Sequence, residues 1–269
     1  MISKNRIDRR FETLRNEGKS AFVSYICAGD PSMDHSLEIM HALERAGTDI
    51  IELGIPFSDP MADGIVNQMA AHRALEAGGS TIGVLELIRR FREDSETPIV
   101  LFTYLNPVYT YGFEAFHRDA AEAGADGVLL LDLPPDEVAR NEELKETDVL
   151  KHIRLIAPTT PEERIPQLAG SSEGFIYYVS RAGVTGAQED LAEGITQNVA
   201  TIQQHAEVPV VVGFGISTPE QSAEVARSAD GVVVGSAIVR QIEANVDAED
   251  LASKVEAFVK PLVDSAKSV

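Results

Sequence analysis

The chain has 269 residues, 44% of them hydrophobic and 25% charged, a balance that excludes a disordered, collagenous or low-complexity chain. Lys and Arg number 23 against 43 Asp and Glu, and a net charge of -20 repels phosphate backbones and anionic lipid, so no nucleic-acid or membrane partner is expected. The single cysteine, Cys27, excludes an internal disulfide and a cysteine-based zinc site, and fits a reducing compartment.

In chain order, Lys4, Arg6, Asp8, Arg9 and Arg10 have no apolar run behind them, so no secretory signal is expected. No segment approaches the ~20 apolar residues of a membrane span, and a soluble, cytoplasmic protein is expected. Ile7, Phe11 and Leu14, at i, i+4 and i+7, predict a helix with no strand before it. Eight apolar or β-branched runs then predict strands at Phe22 to Ala28, Asp49 to Gly54, Ile99 to Tyr104, Gly127 to Asp132, Ile153 to Ala157, Phe175 to Ser180, Val208 to Phe214 and Gly231 to Gly235. Strands this apolar are buried on both faces, which means a parallel sheet covered by helices. Amphipathic stretches such as Leu37, Met40 and Leu43, or Phe113, Phe116 and Ala120, lie between them, with Gly47, Gly124 and Gly170 as stop signals. One spacing is far longer than a βα unit: after the second strand come Ile55 to Gly64 and two helices, Val66 to Ala77 and Thr81 to Glu93. No linker divides the chain. The expected fold is α/β, one (β/α)8 TIM barrel over residues 1–269 with an extra N-terminal helix covering its bottom and an enlarged loop after strand 2. A doubly wound open sheet is the alternative.

In such a barrel the chemistry belongs at the C-terminal ends of the strands. Imine or pyridoxal chemistry requires a lysine there, and the seven lysines fall in helices, termini or strand starts. His35, His41, His72, His117, His152 and His205 all read as helix or strand-bottom positions, so no metal site is expected. Proton transfer by carboxylates remains, with Glu52 and Asp63 as candidates. Glu52 sits in the apolar run Ile50-Ile51-Glu52-Leu53-Gly54, where a carboxylate is costly to bury unless it has a task or a partner. Asp63 shares its loop with Asp59, Pro56 and Pro60, where an aspartate also serves as a turn former. Glycines after strands six, seven and eight suit a backbone cradle for a phosphate. Gly213-Phe214-Gly215 lacks the third glycine of a dinucleotide fingerprint, because residue 218 is Thr.

The stretch Glu52-Leu53-Gly54-Ile55-Pro56-Phe57-Ser58-Asp59-Pro60-Met61-Ala62-Asp63-Gly64 resembles the tryptophan synthase alpha chain family. So do Ala28 to Pro31, Ser180 to Gly186 and Gly213 to Ser217, and the resemblance runs nearly the whole length in order. It implies cleavage of indole-3-glycerol phosphate to indole and glyceraldehyde 3-phosphate. It further implies no cofactor on this chain and an α2β2 heterotetramer with a β chain that carries pyridoxal phosphate. Residue by residue, it implies that Glu52 and Asp63 are catalytic and Tyr177 lines the site. Thr185 of the sixth loop would latch onto Asp63, and Gly186, Gly215, Gly235 and Ser236 would hold the phosphate. Tyr104 and Asp132, at the ends of strands three and four, are expected to line the site as well.

The chain departs from the family at Ile65-Val66-Asn67-Gln68, where proline and apolar residues usually follow, and Asn67 stands in place of an aliphatic. Tyr25 replaces a frequent Phe, and Cys27, read as a packing residue, replaces a Thr. A stand-alone lyase releasing free indole would use the same motifs. The ring-closing indole-glycerol phosphate synthases would need strand-end lysines that are absent here, and a purely allosteric role fits poorly with two retained carboxylates.

Overall fold

In the computed structural model, which describes residues 5–144, 149–180, 188–213 and 215–269, the predicted barrel is present. Its strands are β1 (Ala21–Cys27), β2 (Ile50–Gly54), β3 (Ile99–Thr103), β4 (Gly127–Leu130), β5 (Lys151–His152), β6 (Arg154–Ile156), β7 (Ile176–Val179), β8 (Val210–Gly213) and β9 (Gly231–Val234). They form one sheet in the order β5-β4-β3-β2-β1-β9-β8-β7-β6, with all pairs parallel. The fifth strand, expected as one piece, is divided at Ile153: its first half pairs with β4 and its second with β7. The Ile153 N–H still donates to the Val128 carbonyl on β4 at 3.0 Å, so the ring continues through the interruption.

Side chains alternate across each strand, so every second residue enters the barrel. Ala21, Val23, Ile50, Val100, Leu129, Ile153, Phe175, Val211 and Val233 pack there as one cluster. Glu52 shares the inward parity of Ile50, and Tyr25 that of Val23. The helix α1 (Arg6–Glu17) closes the bottom with Ile7, Phe11 and Leu14, all buried in this cluster, as their spacing predicted. Its N-cap is Asn5, whose side chain accepts from the Ile7 N–H. At the same end three aspartates tie neighbouring strands: Asp49, Asp126 and Asp230 accept from the backbone N–H of Phe22, Ile99 and Val210 at 2.7, 2.9 and 2.8 Å. Arg6 and Arg92 neutralise Asp126, and Arg10 and Lys267 neutralise Asp49.

The outer layer begins with α2 (Met33–Ala46), capped by Ser32 and packed through Ile39, Met40 and Leu43. The enlarged segment after β2 holds α3 (Ile65–Glu76) and α4 (Thr81–Phe91), close to their predicted bounds. After β3 comes a helix the periodicity did not reveal, α5 (Leu105–Tyr111), followed directly by α6 (Phe113–Ala123). Seven residues including Pro107 are too few to show a 3.6-residue pattern. The remaining helices are α7 (Pro135–Arg140), α8 (Ile165–Gly170), α9 (Gln188–Gln203), α10 (Pro219–Ala226), α11 (Ser236–Glu243) and α12 (Leu251–Ala266). Gly170 ends α8 from inside its last turn, whereas Gly47 and Gly124 take left-handed caps at φ 97° and 103°. No helix among the described residues is long and apolar enough to cross a membrane.

Candidate active site

Glu52 is 1% exposed, and neither carboxylate oxygen has a hydrogen-bond partner. Burial alone pushes its carboxyl up to about 8, because the charged form cannot recover inside the barrel the solvation it loses. The strand register sets Glu52 beside Tyr25 of β1, and the Tyr25 ring lies against Gly235, just past β9. A carboxylic acid, a phenol and a flexible backbone position therefore occupy adjacent strands at the open end of the barrel.

Asp63 comes from the loop between β2 and α3, and its two oxygens have different partners. The Tyr104 hydroxyl donates to Oδ2 at 2.8 Å and itself accepts from the Ala62 N–H at 3.0 Å, so the tyrosine grips both the loop backbone and the carboxylate. Asn67 Nδ2 stands 3.5 Å from Oδ1, and the Gln68 side chain donates to the Asp63 carbonyl at 2.9 Å. Burial raises the Asp63 carboxyl, while the bonds from Tyr104 and Asn67 oppose that rise. Tyr104 in turn is raised by its own burial and by the carboxylate it serves.

Asp63 and Asn67 face a cavity of about 380 Å³, lined also by Phe102, Leu131, Leu155, Tyr177 and Val179 and by Ala157 to Thr159. Its lining is mostly apolar, with the Asp63 carboxylate, the Asn67 amide, Thr159 and Tyr177 as its polar side chains. Tyr177 is raised well above a free phenol by burial, with the charges of Glu52 and Asp63 adding to the rise. Both inward tyrosines fit because of missing side chains: a Cβ at Gly54 would stand 2.7 Å from Tyr25 Oη, and one at Gly213 would collide with Tyr177 Oη.

Of the residues singled out from the sequence, Asp63 and Tyr177 share this cavity, Glu52 lies in the barrel interior near them, and Tyr104 holds Asp63 from behind. Asp132 stands apart. It is exposed, accepts from the Leu105 N–H at 2.6 Å to cap α5, and lines a neighbouring cavity with Arg154 and Arg164. Gly215, at φ 64°, follows β8, and Gly235 caps the N-terminus of α11, whose next residue is Ser236. The first N–H groups of a helix such as α11 lack intrahelical acceptors, whereas in the loop after β8 the Ser217 and Thr218 N–H groups donate to the Gln221 side chain. Thr185 and Gly186 lie outside the described residues. Phe102 is a cavity residue that motif reading passed over, although its parity with Val100 marks it as inward, and the Tyr25 ring packs edge-on against it at 5.1 Å between centroids. Among the described residues no cluster of His, Cys, Asp and Glu suits a metal ion.

The sequence model of the tryptophan synthase alpha chain matches residues 11–267. The tryptophan synthase alpha chain of Opitutus terrae is 48% identical over 98% of this chain and 99% of its own length. That of Citrifermentans bemidjiense is 47% identical over 96% of both. The crystal structure of the subunit from Legionella pneumophila superposes with a TM-score of 0.88 at 39% identity, covering 99% of this chain and all of that one. A likeness that runs end to end in sequence and in backbone leaves one placement: the chain belongs to the tryptophan synthase alpha chain family.

Proposed function

We propose that the chain is a carbon–carbon lyase that cleaves indole-3-glycerol phosphate to indole and glyceraldehyde 3-phosphate by carboxylate acid/base catalysis, as one domain over residues 1–269. The observation that carries this reading is Glu52, a carboxyl group buried without a partner and held up to about 8 beside an apolar cavity. A group so placed is protonated at neutral pH and close enough to its midpoint to exchange a proton in both directions. Breaking the bond between indole C3 and the glycerol carbon requires a proton delivered to C3 and another removed from the adjacent hydroxyl. Glu52 performs both transfers. Asp63, whose ionised form the donors of Tyr104 and Asn67 favour against its burial, accepts the ring N–H and balances the positive charge of the indolenine. Tyr177 and the aliphatic wall receive the flat ring. Gly215, Gly235 and Ser236, with Gly186, bind the phosphate, and that remote contact orients the reacting end. Asp132 belongs to this site through α5, which it caps and which begins next to Tyr104.

A β chain that carries pyridoxal phosphate is the partner in this reading, in an α2β2 heterotetramer of the cytoplasm, and this chain has no cofactor of its own. The exposed large apolar residues favour a docked partner: Met61, Ile65 and Met69 of the loop and α3 are 91%, 69% and 42% exposed, with Ile82 of α4 and Tyr109 of α5 at 69% and 56%. Met61, Ile65 and Met69 belong to the loop and helix that supply Ala62, Asp63, Gly64 and Asn67 to the cavity, and exposed apolar residues gathered there suit an interaction surface. Contact there, and a Thr185 to Asp63 latch, would couple docking to closure of the site. The test is the rate of indole release from indole-3-glycerol phosphate by the purified chain, alone and with its cognate β chain. The expected result is slow cleavage that β accelerates. No cleavage under either condition would refute the lyase, and full activity without β would favour a stand-alone lyase.

A further inference from the structure

Asn67 occupies a place where the family resemblance implies an aliphatic side chain, and the structure shows what surrounds the amide there. It lines the cavity from the first turn of α3, with Nδ2 at 3.5 Å from Asp63 Oδ1. Its own Oδ1 is enclosed and has no hydrogen-bond partner. A buried carbonyl without a donor is a cost that a packing residue would not carry, since Leu or Ile would fill the same volume free of it. The amide orientation follows from its neighbour: turning it over would set Oδ1 against the carboxylate. What the amide gains is its donor, which faces the one Asp63 oxygen that Tyr104 leaves open.

We propose that Asn67 is a positioning residue for Asp63, completing with Tyr104 a pair of neutral donors that keep the carboxylate ionised and fix its plane toward the cavity. The proposal rests on the lyase reading for its kinetic consequence but not for its geometry. The other titratable groups facing Asp63 are Tyr25 and Cys27 from β1, Tyr104 from the start of α5 and Tyr177 from β7, with Glu52 of β2 acting on Tyr25 and Tyr177. Each is neutral near pH 7. Among the described residues no cation acts on Asp63, so hydrogen bonds alone oppose the desolvation of its charge. Nδ2 favours the ionised form. Its removal therefore raises the Asp63 carboxyl and carries the acid limb of kcat/KM to higher pH.

Three variants test this: Asn67→Leu removes the donor at similar volume, Asn67→Asp sets a like charge in its place, and Asn67→Gln restores an amide. The expected result is an acid limb moved upward in the Leu variant and further in the Asp variant, with the Gln variant returning toward the wild type. On that limb the Leu variant should lose about tenfold, the scale of one hydrogen bond to a charged group, and much less on the plateau. A limb that stays in place in both the Leu and Asp variants, with a uniform loss or a change in KM alone, would overturn the proposal. Should the Leu variant fail to fold, the isosteric Asp variant decides. Carboxyl titration of Asp63 by NMR in the same proteins gives the answer without turnover: an unshifted Asp63 refutes the role of Asn67. A wild type that does not cleave the substrate refutes the lyase reading separately.

Discussion

At Glu52 the physical chemistry of one side chain sets a pH window. Its folded carboxyl lies near 8, above the unfolded value near 4.3, so the native state binds the extra proton between them. Stability from this group is therefore greatest at low pH and declines as pH rises through that interval. Glu52→Gln keeps the shape and removes the ionisation. The variant should lose cleavage by at least a hundredfold while melting no lower than wild type at pH 8, which activity assays beside calorimetry would check. In the wild type, kcat/KM should fall on the alkaline side with a limb near 8; a limb absent there would remove Glu52 as the proton carrier. The glutamate was legible in the sequence because a charge inside Ile50 to Leu53 has few structural excuses. Tyr104 was legible only as a strand end. Its bonds to Asp63 and Ala62 join residues about 40 positions apart, and no local pattern encodes such a contact. Asp132 was legible in the same way, as an aspartate at a strand end, but that its oxygen accepts from the Leu105 N–H at the start of α5 could not be read from local pattern.

Secondary structure could be read where a face is buried along its length. The i, i+4, i+7 set of α1 placed it correctly, and α3 and α4 differed from expectation only at their ends. The fifth strand was read only from Ile153 to Ala157, because Lys151 and His152 carry no apolar signal, so its first half, which pairs with β4, was missed. In α1, Ile7 is fully buried and reaches the bottom of the barrel, where its Cδ1 would stand 3.2 Å from a Cβ built at Gly127. Ile7→Ala should cost about 2–5 kcal/mol by chemical denaturation. Because the plug is at the end of the barrel opposite the carboxylates, the pH limbs of the surviving native enzyme should not move. A shifted limb would mean that the two ends are not independent.

For the molecule as a whole, charge is the dominant surface property. A net charge of -20 on 269 residues is self-repulsive, and the exposed ion pairs such as Lys260 with Asp264 are weak and screened by the same salt. Repulsion summed over the surface outweighs those few pairs, so the melting temperature should rise between low salt and ~1 M NaCl, where the Debye length is about 3 Å. A flat or falling melting temperature would show that local pairs, not net charge, govern the response. The acidic excess was plain from composition, but its arrangement was not: the bottom rim concentrates arginines around Asp49 and Asp126, whereas the mouth carries a carboxylate served by neutral donors.

The two glycines beneath Tyr25 and Tyr177 have a consequence for how such a pocket diverges. The depth available to a ligand is fixed on β2 and β8 by residues that extend no side chain and touch nothing bound. A methyl group at Gly213 would collide with Tyr177, a wall of the cavity, and one at Gly54 would press Tyr25 against Phe102, another wall, while every cavity-lining residue kept its identity. Substrate range in this barrel can thus drift through positions that a list of contact residues would omit, and a comparison of pockets among relatives has to include the strands on which the aromatic rings rest.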